Sequence, residues 1–236
     1  YDPCAPGSRF GVTLDKIPSD LLDLVDGLHF HTLCEQNSDD LHTTLQAVEQ
    51  KFGRYLPDMK WLNFGGGHHI TRKDYDVELL KKCIAKMRDK YNLSIYLEPG
   101  EAVVLNAGYL VATVIDVVEA DISVAILDTS AACHMPDVIE MPYRPPLKDS
   151  ALPHEKEYTY RLAGPTCLAG DVIGEYSFDK ALKVGDRLIF EDMALYTMVK
   201  TNTFNGMPLP DITVMEKGEC SLIKSFSYDD FKMRLS

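Results

Sequence analysis

Three short apolar runs, each ending in a turn of polar or glycine residues, constrain this chain more than its composition does. They are Asp26–His31, which carries His29 and His31 at its end; Trp61–Phe64, followed by Gly65-Gly66-Gly67; and Ser94–Leu97, followed by Glu98-Pro99-Gly100-Glu101. Helical patterns separate them. From Ser38 to Phe52, Leu41, Leu45 and Val48 recur at helical spacing, with Ser38 as the expected N-cap. From Asp74 to Tyr91, Leu79, Leu80, Cys83, Ile84 and Met87 form an apolar stripe, while Lys81, Lys82, Arg88 and Lys90 face solvent. A β-α-β-α-β order predicts parallel strands joined by helical crossovers. In a (β/α) barrel the carboxyl ends of the strands share one rim, where active sites are built. Three signatures at equivalent positions therefore predict one composite site.

The pattern changes after about residue 105. Tyr109–Val118 and Ile122–Leu127 are rich in Val, Ile and Thr, with no room for a crossover helix between them. Pro142, Pro145, Pro146 and Pro153 punctuate a long loop, and Tyr158–Leu162, Asp171–Tyr176 and Arg187–Phe190 add strand-like segments. The expected division is an α/β part over 1–107 and a mostly β part over 108–236, of sandwich or barrel form.

Charge narrows the partners. With 36 acidic against 24 basic residues the formal net charge is −12. Such a surface does not attract nucleic acid or an anionic membrane. It suits a cationic small substrate, although acidic proteins are common for no such reason. No apolar run approaches the roughly 20 residues that span a bilayer. The six cysteines (Cys4, Cys34, Cys83, Cys133, Cys167, Cys220) contain no C-x-x-C, and in a long, core-rich chain they read as reduced thiols of a cytoplasmic protein. Tyr1-Asp2-Pro3-Cys4 has neither the basic nor the apolar region of a signal peptide and lacks an initiator Met, so a chain entered partway through is expected.

Each signature has a chemical reading beside a structural one. Three glycines let backbone amides approach a phosphate without Cβ interference, yet they also make an ordinary tight turn. His29 and His31 alternate along a strand and share a face. With His68 or His69 they offer imidazoles to a metal, but cysteine and carboxylate partners at ligand spacing are missing, so no metal is expected. A carboxylate at Glu98, after an apolar strand, is either partly desolvated, needing a proton or a cation, or part of an ordinary surface turn. In Gly164-Pro165-Thr166-Cys167-Leu168-Ala169-Gly170-Asp171, Cys167 is either a positioned proton donor or an inert thiol. Tyr196, ahead of Thr203-Phe204-Asn205-Gly206, offers a hydroxyl to a phosphate or packs as a half-buried tyrosine.

Taken in order, a His at a strand end, a Gly triplet, Glu-Pro-Gly, Gly-Pro-x-Cys-x-x-Gly-Asp and a Tyr before Phe-Asn-Gly resemble the fold-type-III pyridoxal-phosphate (PLP) decarboxylases. That group includes ornithine and diaminopimelate decarboxylases. Within it, Leu97-Glu98-Pro99-Gly100-Glu101-Ala102-Val103, His134-Met135-Pro136-Asp137 and Met141-Pro142-Tyr143-Arg144-Pro145 are similar to the carboxynorspermidine and carboxyspermidine decarboxylases. The likeness runs through nearly the whole chain. It implies the second half of an alanine-racemase-like (β/α)8 barrel followed by a C-terminal β-domain whose final segment returns to the barrel. It implies PLP as cofactor, with His31 stacked on its ring, Gly65, Gly66 and Gly67 around its phosphate with Tyr196, and Glu98 on the pyridine nitrogen. Cys167 would reach a neighbouring subunit's site in a homodimer and protonate the carbon that loses CO2.

Two departures from the family pattern matter. Where the ornithine and diaminopimelate enzymes have Arg after Glu-Pro-Gly, this chain has Glu101. An acid there repels a distal carboxylate and attracts a distal ammonium, which favours a carboxylated polyamine substrate. Asp137 is the expected second acidic contact, with Asp171 beside Cys167 as a third. The family also carries PLP on a lysine at the end of the first barrel strand. Lys16 precedes Ile-Pro, and Lys81, Lys82 and Lys86 fall in a helix, so none stands in that context. The isolated polypeptide is therefore expected to be inactive. The competing expectations are another amino-acid decarboxylase, of diaminopimelate or ornithine type, and a non-catalytic decarboxylase-like regulator.

Overall fold

A computed structural model describes residues 3–235, so the Tyr1-Asp2 opening lies outside it. The chain divides into two compact units, Tyr1–Leu105 and Asn106–Ser236.

In the first unit a helical turn α1 (Ser19–Leu22) precedes β1 (Gly27–His29), α2 (Ser38–Phe52), β2 (Trp61–Asn63), α3 (Val77–Tyr91), β3 (Ser94–Tyr96) and α4 (Gly100–Val104). The strands form a parallel sheet in the order β1-β2-β3. Leu28, Leu62 and Ile95 lie in one register row, with Leu62 buried and the other two partly buried against the same core. That core takes Leu41 and Leu45 from α2 and Leu80, Cys83 and Met87 from α3. The apolar stripe of α3 is thus the part of the helix that the sheet needs covered. The cap of α2 is Asn37 rather than Ser38: Asn37 Oδ1 accepts from the Ser38 amide at 2.7 Å, and Ser38 is already the first helical residue. The Asn37 oxygen also accepts from the Asp76 amide, and Ser38 Oγ donates to the Asp76 carbonyl, so the two helix starts are tied together. Asp76 in turn caps α3 by accepting from the Leu79 amide, which starts this helix three residues later than the pattern suggests.

The second unit holds β4 (Tyr109–Val118), β5 (Val124–Leu127), the single-turn helices α5 (Ala131–His134) and α6 (Asp137–Glu140), β6 (Tyr158–Ala163), β7 (Val172–Phe178) and β8 (Arg187–Glu191). These strands make one five-stranded sheet, ordered β7-β6-β5-β4-β8. All pairs are antiparallel except β5-β6, whose connection runs through α5, α6 and the proline-rich loop. Val114, Leu127, Leu162, Tyr176 and Phe190 are buried in its core. A separate ribbon, β9 (Ile212–Glu216) with β10 (Glu219–Lys224), and a closing helix α7 (Tyr228–Leu235) follow. Arg234 of α7 donates to Thr203 Oγ1.

Candidate active site at the strand ends

Parallel pairing puts the carboxyl ends of β1, β2 and β3 on one edge, and the register sets His29 beside Asn63 and Asn63 beside Tyr96. Residues in register share a face, so the second face of this sheet carries polar groups where the first carries leucine. The row before it is closed by an aromatic: a Cβ on Gly27 would lie 2.1 Å from the Trp61 ring, so only glycine fits there.

Beyond the strand ends, His31, the Gly triplet and Glu98 converge. The Gly66 amide donates to His31 Nδ1 at 3.2 Å, which leaves the neutral imidazole its proton on Nε2. Asn63 Nδ2 donates to Glu98 Oε1 at 2.8 Å, and the Gly65 amide donates to Asn63 Oδ1 at 2.9 Å. The Glu98 amide completes the link by donating to the Gly65 carbonyl. Imidazole nitrogens of His29 and His31 stand 3.7 and 3.9 Å from the two Glu98 oxygens. The triplet owes its path to glycine. Gly65 and Gly67 have φ of +72° and +81°, and a Cβ on either would lie 2.3 Å from a carbonyl oxygen, of Phe30 and Leu33 respectively.

Three expectations change here. The Glu98 side chain is 49% exposed in this chain, which fits the surface-turn reading and not the desolvated one. Two of the triplet's amides are engaged by Asn63 and His31, so the loop is not a cradle of free donors. Carboxylates at ligand distance are present after all. His29, His31 and Glu98 bring one donor atom each within 4.8 Å of one another, and so do Glu35, His69 and Glu101. Linear spacing hid both sets because their acids come from after β3 and from the loop after β1.

Glu101, on α4, accepts from His69 Nε2 at 2.7 Å, with His69 buried beneath it. The neighbouring His68 is buried on the Phe64 carbonyl, and that burial lowers its pKa. Its Nδ1 has no hydrogen-bond partner among the described residues. Lys16 ends a 3-10 turn, Leu14–Lys16, and Lys81, Lys82 and Lys86 lie on α3, away from the strand-end motifs in sequence and in element.

In the second unit Cys167 is exposed on the loop after β6 and Tyr196 is exposed with a left-handed backbone, φ +50°. Asp171 differs from its expected role as a substrate contact. It is 2% exposed, and its oxygens accept from Ser130 Oγ at 3.0 Å, Thr166 Oγ1 at 2.6 Å and the Ala132 amide at 3.3 Å. With both oxygens engaged, Asp171 anchors the Cys167 loop to the start of α5. Asp137 likewise has a cation of its own, being paired with Lys200, which also binds Glu140 at 2.6 Å. The residue that sequence reasoning missed is Asn63. Its one signal was its place at the end of β2, on the same alternation as Trp61.

The family described as "Pyridoxal-dependent decarboxylase, C-terminal sheet domain" matches residues 8–194. The carboxynorspermidine/carboxyspermidine decarboxylase of Campylobacter jejuni is 46% identical over 246 residues, covering 99% of this chain and 64% of that protein. The carboxyaminopropylagmatine decarboxylase of Synechocystis is 44% identical over 238 residues, covering 100% of this chain and 62% of that protein. The crystal structure of the C. jejuni carboxynorspermidine decarboxylase complexed with norspermidine superposes with a TM-score of 0.81 at 48% identity, over 90% of this chain and 61% of that one. The chain thus spans a little under two thirds of the length of these relatives. On the family match and the strand-end site together, the chain belongs to the pyridoxal-dependent decarboxylases.

Proposed function

We propose that this chain serves in the PLP-dependent decarboxylation of a carboxylated polyamine, carboxynorspermidine or carboxyspermidine, to the corresponding amine and CO2. The observation that carries this reading is the Glu98 carboxylate, held by Asn63 between two imidazoles at the shared end of three parallel strands. These residues fit the cofactor. A carboxylate held by one neutral donor, the Asn63 amide, suits a protonated pyridine nitrogen. The absent Cβ of Gly66, which would lie 2.8 Å from His31 Cε1 and 3.0 Å from the Glu98 carbonyl, leaves the His31 ring room to sit where it does. Bound there, PLP supplies an electron sink for the bonding pair released as the α-carboxylate leaves.

The chain's own groups would do the rest. Glu98 would hold the proton on the pyridine nitrogen, and His31 would lie against the ring. The Gly65-Gly66-Gly67 loop would pass the phosphate, and the Gly67 amide, outside the bonds that Asn63 and His31 make with the first two, would be the one to meet it. For Tyr196, as a phosphate hydroxyl, and Cys167, as proton donor to a neighbouring subunit's site in a homodimer, the ordered motifs are the support. The three parallel strands are read as part of an alanine-racemase-like (β/α)8 barrel, and the thiols and charge as those of a cytoplasmic enzyme.

The substrate class rests on charge. The names of the two relatives share a carboxylated aminopropyl amine with a distal cation, in one case an amine and in the other a guanidine. Glu101 places an acid where a distal carboxylate would be repelled. Asp137 would serve a substrate cation only by releasing Lys200. Norspermidine and spermidine precursors differ by one methylene, worth about 1–3 kcal/mol of discrimination, and both are expected as substrates. The test is product formation by the PLP-loaded holoenzyme that carries this chain. Carboxynorspermidine and carboxyspermidine should be converted, diaminopimelate and ornithine should not, and Glu98→Ala should lower kcat by more than about 100-fold. Equal turnover of diaminopimelate would overturn the substrate assignment.

A further inference from the structure

We propose that Asn63 is the positioning residue for the cofactor's ring nitrogen: its amide fixes the Glu98 carboxylate and the first glycine of the phosphate loop at the same time. The inference rests on the reading of Glu98 as the ring-nitrogen partner and adds the residue that makes that partner work.

The argument starts from the two ends of one amide. Asn63 Oδ1 accepts from the Gly65 amide at 2.9 Å, and only an acceptor can meet that backbone N–H. The orientation of the side chain is thereby settled. Its NH2 must face Glu98 Oε1, 2.8 Å away, and only an acceptor oxygen can meet it. Asn63 thus meets Glu98 as a donor and fixes the position of one of its oxygens.

No other side chain does this. His29 and His31 stand at 3.7 and 3.9 Å from Glu98, beyond hydrogen-bond length. Asn63 is therefore the one side chain of the described residues that the structure places within hydrogen-bond distance of the Glu98 oxygens. Being neutral, it holds the carboxylate in place without adding a cation that would compete with a protonated ring nitrogen. Aspartate would keep the Gly65 bond, lose the donor, and set a second acid against the first. Leucine, of similar size, would lose both bonds.

A single tryptophan makes the test direct. Trp61 is the only one in the sequence and lies two residues from Asn63 on the same strand face. Quenching of its fluorescence in the full chain reports binding of PLP and of 1-deaza-PLP, which has carbon in place of the ring nitrogen. The wild-type chain should bind PLP more tightly than the deaza analogue. Asn63→Asp and Glu98→Gln should each weaken PLP by about tenfold, the cost of one hydrogen bond to a charged group, and leave the deaza analogue unchanged. Asn63→Leu should weaken both, because it also frees the Gly65 loop. If Asn63→Asp weakens the two ligands equally, Asn63 is only a structural support and the proposal falls. It also falls if neither changes. If the wild type binds both ligands equally, the ring contact of Glu98 fails while PLP binding stands; if it binds neither, the cofactor reading itself fails.

Discussion

At the scale of single residues, neighbouring glycines in one triplet are glycine for different reasons. At Gly67 the backbone is left-handed and a Cβ would strike the Leu33 carbonyl at 2.3 Å, atoms that cannot yield without moving the chain. At Gly66 no left-handed conformation is involved, and the first atom met is Cε1 of the His31 ring. Gly67→Ala should therefore cost about 1–3 kcal/mol of stability, read as a lower Tm. Gly66→Ala should leave Tm nearly unchanged and weaken PLP about tenfold through the displaced ring. Equal losses of Tm would show that the His31 ring is as fixed as backbone. The acids teach a related lesson. Asp137 and Asp171 have the charge a cationic substrate wants, but a sequence shows the sign of a side chain and not its partner. Folding brings Lys200 to one and two hydroxyls and an amide to the other.

Between elements, α2 and α3 are joined by more than their apolar stripes. Glu49 of α2 is bonded by Lys86, Lys90 and Tyr91 of α3, with its carboxylate largely covered. Burial works to raise its pKa, and the three donors outweigh it, holding the group down to about 2. A carboxylate with a depressed folded pKa adds stability that is fully present above its ordinary value of 4.5 and is lost as pH falls toward 2. Glu49→Gln should lower stability by about 1 kcal/mol at pH 7 and flatten the decline between pH 4.5 and 2, as followed by urea denaturation. An unchanged acid limb would mean that other carboxylates set it. These helices were legible in sequence because fifteen residues of periodic burial leave a pattern that local effects cannot erase. Strands β4 to β8 were legible for the same reason, through runs of Val, Ile and Tyr. The ribbon β9-β10 was not. Its strands are exposed along nearly their whole length, so no alternation marks them, and its turn uses Lys217-Gly218, both at positive φ, in place of a more recognisable Asn-Gly. The single-turn α5 and α6 were invisible because four residues hold no period. The site was legible as three motifs in the right order, while the Asn63 bridge needed the register of β1, β2 and β3.

Over the whole molecule, the excess of acid is larger than the ion pairs absorb. The chain carries a formal net charge of −12, while the polyamine proposed as product and its carboxylated precursor are both cationic. A field of that sign concentrates such ligands near the surface and speeds encounter, and it does so over distances that salt can cut off. The Debye length falls from about 30 Å at 0.01 M to about 10 Å at 0.1 M and about 3 Å at 1 M. Contacts made inside the site, such as the Asn63–Glu98 hydrogen bond at 2.8 Å, lie within even the shortest of these lengths. Salt should therefore act on encounter and leave the chemical step alone. With the proposed substrate carboxynorspermidine, the holoenzyme's kcat/KM should fall about 3- to 10-fold between 0.01 and 0.5 M KCl, with kcat constant. A fall in kcat instead would place the screened charges at the reacting groups, and no change in either would leave the acidic surface a matter of solubility alone.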